Sequence, residues 1–278
     1  MNYPLREVLS ENPAAYWFWF AVVFWVGCCM GSFLNVCIWR MPLGESVITA
    51  PSHCPKCNHQ IRWYENIPLF SFLCLRAKCS NCRQPITWRY FIVELLTGIL
   101  FASAYFSITY KGMIFACIIP AGAMIMLAVA ASFIDFEHRI IPDALNYPAM
   151  IVGAIFWISE YFAGLLKWQE LAVSLLFGFV AWGIFYLLAL LGEKIFKQDA
   201  LGLGDVKFLA AAAFLFGPGL MFEYAAGLFI ASFSGFLYGV IYSLIKKQSL
   251  RQCTIPFGPF LAFGMVTALM LPNINKLF

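Results

Sequence analysis

Charge is what this sequence lacks. Lys, Arg, Asp and Glu make up 12% of its 278 residues, about half the share found in an ordinary soluble domain. Against that, 62% of the chain is hydrophobic and 18% aromatic. So few polar side chains cannot cover a globule, which excludes a soluble domain and leaves a polytopic membrane protein in a lipid bilayer. The net charge is only +4 and the basic residues are scattered, so the sequence carries no nucleic-acid footprint. It also shows no internal repeat, no low-complexity tract, no long flexible linker, and no Gly-rich loop in a strand–helix context that would cradle a nucleotide. Ten cysteines are present, but small secreted disulfide scaffolds do not carry this much apolar sequence.

What the chain has is apolar length. A hydrocarbon core about 30 Å thick takes roughly 20 helical residues per crossing. On that scale the runs 16–38, 91–109, 113–134, 144–166, 171–192, 206–222, 224–245 and 256–272 predict an all-α fold of about eight transmembrane helices. Gly217-Pro218-Gly219 and Glu223 interrupt the sixth and seventh. The first run is too long, and too poor in a small-residue cleavage site, for a removable signal peptide. With the N-terminus outside, the inner loops hold fourteen Lys and Arg and the outer segments four, namely Arg6, Lys111, Lys167 and Lys276. That bias orients the chain with a periplasmic N-terminus and a cytoplasmic loop at 39–90. The expected organisation is an N-terminal transmembrane helix (1–38), a cytoplasmic loop domain (39–90) and a transmembrane core (91–278).

The loop is too short to build a sizeable core unaided. It contains Cys54-Pro55-Lys56-Cys57 and, after 21 intervening residues, Cys79-Ser80-Asn81-Cys82. Two such knuckles read as one tetrahedral zinc site of four thiolates, closed by protein and therefore structural. Lys56, Lys78 and Arg83 stand ready to offset its charge. A pair of disulfides is the alternative, and a reducing cytoplasm argues against it. His53 and His59 flank the first knuckle as solvated residues. Cys28, Cys29, Cys37, Cys74, Cys117 and Cys253 have no paired spacing and read as small hydrophobes.

The four aspartates are Asp135, Asp143, Asp199 and Asp205. Acidic groups beside or inside spans are functional candidates by default. Asp135 ends the third span; Asp205 opens the sixth in Gly202-Leu203-Gly204-Asp205, where the glycines permit positive φ or close approach and the helix dipole favours a carboxylate. Residues 206–216 amount to about 16 Å of helix, roughly half a membrane, which sets Asp205 below the surface on an irregular segment lining a wet cavity. If the third and sixth helices are neighbours, two carboxyls meet, one ionised and one protonated, as an aspartic protease requires. Taken singly, each is equally well an interface-facing loop charge. Asp143 after Pro142 reads as a helix-start residue, and Asp199 as a solvated loop charge.

These motifs, with Gly31-Ser32-Phe33-Leu34-Asn35-Val36-Cys37-Ile38-Trp39-Arg40-Met41-Pro42, Tyr64-Glu65-Asn66-Ile67-Pro68, Val93-Glu94-Leu95 and Ile255-Pro256-Phe257-Gly258-Pro259-Phe260-Leu261-Ala262, resemble the type IV prepilin leader peptidases almost end to end. The resemblance implies a bifunctional enzyme of the bacterial inner membrane. It would cleave the basic leader of type IV prepilins or type II secretion pseudopilins at the cytoplasmic face, then methylate the new N-terminus with S-adenosylmethionine. It implies Asp135 and Asp205 as catalytic residues and Cys54, Cys57, Cys79 and Cys82 as zinc ligands. The link at 43–53 is shorter than in some members, and the Asp135–Asp205 interval somewhat long. Asn35, Arg40, Asn66 and Glu94 are polar residues that either line a methyl-donor pocket or tie helices together, and no donor-binding residue is assigned. Two other classes remain as alternatives, a metal transporter with ligands in mid-span and a non-catalytic zinc-organised assembly protein.

Overall fold

A computed structural model describes residues 13–48, 51–111, 113, 115–196, 201–246 and 255–271. Asp199 and Cys253 lie outside them. The described residues are nearly all helical and fall into two compact units, 1–116 and 117–278.

The first unit holds α1 (Pro13–Arg40), the short α2 (Phe70–Cys74) and α3 (Trp88–Lys111). The long helices α1 and α3 pack along each other because their facing residues are small. A Cβ on Gly27 would come within 2.9 Å of the Gly98 Cα, and one on Gly31 within 2.7 Å of the Glu94 Cα. Close backbone approach of this kind replaces the hydrophobic drive that lipid cannot supply. At one end, Tyr16 and Phe20 of α1 meet Tyr105 of α3, with ring centroids 5.5 and 6.4 Å apart, and Phe115 completes the aromatic cluster. Such rings suit a membrane–water interface.

The second unit holds α4 (Ile118–His138), α5 (Asp143–Phe162), α6 (Trp168–Phe196), α7 (Leu203–Phe216), α8 (Met221–Lys246) and α9 (Gly258–Met270). Its centre is α7, only 14 residues long, which touches every other helix of the unit. Ala210, Ala211, Ala212 and Ala213 have no exposed surface; their small side chains allow five neighbours to close round one helix. By contrast α6 and α8 show Phe179, Trp182, Leu187, Phe229 and Phe233 at the surface, as a lipid-facing wall should.

Among the described residues, five helices are long and apolar enough to cross a membrane, Pro13–Leu43, Trp88–Lys111, Phe115–His138, Trp168–Ile195 and Pro218–Lys246. Each of the eight apolar runs carries a helix, but α5, α7 and α9 do not meet that standard. Asp143, Asn146, Pro148 and Glu160 dilute α5, and α7 and α9 are too short at 14 and 13 residues. The sixth run, expected at 206–222, stops early. Gly217 takes φ +67°, and the Trp157 indole fills the place of a Cβ there. The interrupted helix end is satisfied internally, since the Trp157 Nε1–H donates to the Phe214 carbonyl at 2.8 Å. Backbone left open at membrane depth would otherwise be costly.

Candidate active site and metal centre

In the first unit the two cysteine knuckles fold alike. The Cys54 N–H donates to the His59 carbonyl and the Cys79 N–H to that of Gln84, both at 2.9 Å. Asn58 and Arg83 return N–H bonds to the Cys54 and Cys79 carbonyls, and take φ of +56° and +58°. Bridges His53–Gln60 and Lys78–Pro85 close each turn. Corresponding cysteines, bridge partners and positive-φ residues stand 25 residues apart. The loop is therefore an internal repeat, contrary to the sequence reading. Only the cysteines and Ile61/Ile86 recur between residues 53–61 and 78–86, too little for the eye to find.

The four sulfurs lie within 4.8 Å of one another, with Cys54–Cys82 at 3.9 Å and Cys57–Cys79 at 4.0 Å. A tetrahedron with metal–sulfur bonds of about 2.3 Å has edges of about 3.8 Å, so the group fits a metal ion. These separations are about twice a disulfide bond. The turns favour the thiolate at two of the four positions, while burial and the neighbouring sulfurs push Cys82 up to about 11. The His59 backbone N–H brings the Cys57 thiol down to about 7, and backbone N–H groups of Cys82 and Asn81 hold Cys79 below the usual thiol range. The Asn81 side-chain amide reaches across to the Cys57 sulfur at 3.7 Å. His59 Nε2 faces Glu65 at 3.4 Å and is not part of the cluster, while Glu65 accepts the Arg62 N–H at 2.9 Å.

Three of the four polar candidates in this unit hold backbone. Glu94 accepts the Leu69 N–H at 2.8 Å, securing a residue with φ +59° just before α2. The Asn35 amide donates to the Tyr90 carbonyl at 3.1 Å. Arg40 donates to the Ser46 and Pro51 carbonyls at 3.2 and 3.0 Å. Asn66 sits exposed in the turn Trp63–Asn66.

In the second unit, Asp135 lies in the last turn of α4 and Asp205 in the first turn of α7. Helices α4 and α7 pack on each other, and Gly204 lies against Ile141, six residues after Asp135, so the two helix ends that carry the aspartates are neighbours and Asp135 is within electrostatic reach of Asp205. Asp205 is the third residue of α7 after its N-cap, and its carboxylate accepts the Gly202 backbone N–H, half of a capping box. Neither glycine of this segment uses positive φ. Gly202 sits at φ −64°, and Gly204 is small because a Cβ would come within 3.1–3.4 Å of Ile141.

Sequence reasoning missed a third contributor, Gly258, the first residue of α9. Its N–H donates to Asp135 Oδ2 at 2.8 Å. The positive ends of α7 and α9 thus converge on the carboxyl pair, fixed partial charges suited to anions. A Cβ at Gly258 would lie 2.9 Å from both Cβ and Oδ2 of Asp135. Gly258→Ala is expected to displace that carboxyl and slow the reaction by about tenfold or more, since misplacement by 1 Å can reduce rate 10²-fold. Turnover measured beside the melting temperature checks this, because helical φ at a first-turn position leaves the fold intact. Asp143 does more than start a helix. Lys207, two residues after Asp205, clasps both its oxygens at 2.7 and 2.8 Å, fastening α5 to α7.

Residues 25–108 match the Bacterial Peptidase A24 N-terminal domain, and residues 121–240 match the Type IV leader peptidase family. The chain belongs to the type IV leader peptidase family. Both knuckles of this family member fall in the first stretch, and Asp135 and Asp205 in the second. A prepilin leader peptidase/N-methyltransferase of Myxococcus xanthus (strain DK1622) is 38% identical over 244 residues, covering 86% of this chain and 68% of that protein. A type 4 prepilin-like proteins leader peptide-processing enzyme of Escherichia coli O78:H11 is 34% identical over 96% of this chain and 98% of its own length. The prepilin leader peptidase/N-methyltransferase of Pseudomonas aeruginosa is 31% identical over 96% and 94%. No solved structure matches the chain.

Proposed function

We propose that this multi-pass inner-membrane enzyme removes the leader of type IV prepilins, or of type II secretion pseudopilins, and methylates the exposed N-terminus. What supports the peptidase half is the placing of Asp135 and Asp205 on neighbouring helix ends, within electrostatic reach of each other, with the Gly258 N–H at the start of α9 on Asp135, in a chain whose relatives bear that name. Two like charges at one site do not both ionise, so a single proton is shared. The ionised member takes a proton from water as the water attacks. The protonated member hydrogen-bonds the scissile carbonyl and then supplies the proton that the leaving amine needs. The Gly258 and Gly202 N–H groups keep both carboxyls aimed while the proton moves.

The excess of basic inner loops supports a periplasmic N-terminus and a catalytic face toward the cytoplasm. A prepilin offers a positively charged leader followed by an apolar helix, so its cleavage point lies at that same interface. The four cysteines are read as a structural zinc site; the ion fixes the fold of residues 51–86 and takes no part in hydrolysis. For the second activity the donor is S-adenosylmethionine, which supplies an electrophilic methyl group to the new amine.

Mass spectrometry of a co-expressed prepilin's N-terminus tests both activities at once. The expected product lacks the leader and is 14 Da heavier than the unmodified mature chain, the mass of one methylene. An intact leader rejects the peptidase reading, and a cleaved but unmethylated terminus rejects the second activity alone.

A further inference from the structure

The buried face of α5 is the stripe Asn146, Ala149, Gly153 and Phe156, at the spacing of a core-facing helix. One member does not belong in an apolar core. Asn146 has no exposed surface, and neither its amide nitrogen nor its carbonyl oxygen has a hydrogen-bond partner among the described residues. Unpaired buried amides destabilise a fold, and an apolar side chain of the same shape would be tolerated better.

Two helix registers give its level. Helices α5 and α7 run parallel. Ile141 meets Gly204, Asp143 holds Lys207, and Gly153 faces Phe214, each partner 61 to 64 residues on. Asn146 therefore stands opposite residues 207–210, about one turn, or 5 Å, beyond Asp205. Helices α4 and α5 form an antiparallel hairpin, joined by residues 139–142. Asp135 is three residues before the end of α4 and Asn146 three after the start of α5, so the two sit at one level. Helices α4, α5 and α7 all pack on one another. Asp135, Asn146 and Asp205 therefore lie within about one helical turn of one level, on three helices packed against one another.

We propose that Asn146 is a positioning residue of the Asp135–Asp205 site, its amide holding the water that the carboxyls activate. The inference rests on the carboxyl-pair reading. A water supplies both a donor and an acceptor, which is what an open amide requires, and an internal water is retained by two to four polar partners. Two carboxyls and one amide make such a set. Ala149 and other apolar residues of the core surround this layer, so Asn146 is the polar group that α5 buries beside the carboxyls.

The test compares Asn146→Leu with the isosteric pair Asn146→Thr and Asn146→Val, assayed for prepilin cleavage in detergent alongside melting temperature. Asn146→Leu is expected to melt at or above the parent temperature, with kcat reduced about 10- to 100-fold and KM within twofold. Thr keeps a hydroxyl that can hold the water, so its kcat should exceed that of Val at least fivefold, whether or not the Leu variant folds. Equal kcat for Thr and Val overturns the proposal, as does parental kcat in the Leu variant. Asp205→Asn serves as the reference. If it cleaves normally, the carboxyl reading itself has failed; if it is inactive while Thr and Val agree, only the role of Asn146 has.

Discussion

Asp205→Asn is expected to give a folded protein that no longer removes the leader, with a rate at least ~10³-fold below the parent, within the range for losing a general acid–base group. Asparagine has the shape of aspartate and keeps an acceptor for the Gly202 N–H, so the start of α7 should hold. Asp135→Asn likewise keeps an acceptor for the Gly258 N–H at the start of α9. Neither substitution opens a cavity or removes a packing atom, and the melting temperature should change little. What is lost is the shared proton. Because the two carboxyls act as a unit, the double variant should be no slower than either single one. Cleavage of a purified prepilin under single-turnover conditions checks this, and a single variant retaining a tenth of the parental rate would refute the acid pair.

Stripping the metal, or replacing Cys54 or Cys79 with serine, should have the other large effect, on folding and not on chemistry. The segment has few means of holding itself. It contributes Cys54, Ser71, Phe72 and Cys79 as its buried residues and two single-bridge turns. In small cysteine-ligated domains, metal binding supplies about 10–16 kcal/mol of apparent folding free energy at neutral pH. Its loss should unfold residues 51–86, while the α1–α3 pairing, built on Gly27, Gly31 and Gly98, persists. Limited proteolysis should then cut within the loop, and metal analysis of the parent should find one zinc per chain. Undiminished protease resistance after complete stripping would contradict the structural role.

The parts legible in the sequence were those encoded locally. Apolar length marked where each helix lies, and Cys-x-x-Cys spacing marked a tetrahedral cluster, because adjacent residues carry both signals. What escaped notice depends on residues distant in the chain. Gly258 looks like an ordinary helix-start glycine until α9 is set against Asp135, 123 residues earlier. Glu94 looks like a buried acid seeking a ligand until Leu69 is placed beside it. The kinship of the two knuckles lies in backbone geometry, with Asn58 and Arg83 adopting one left-handed conformation through different side chains. The early end of α7 was half visible, since Gly217-Pro218-Gly219 advertised a break, but apolar residues on both sides made one continuous span look reasonable.

The brevity of α7 bears on how the protein is made. A 14-residue helix with Asp205 and Lys207 in its opening turns is too short and too polar to partition into lipid by itself. Such a helix should enter the bilayer only with neighbours to receive it, so the pairing of Asp135 with Asp205 is expected to form late, as the five surrounding helices close round α7.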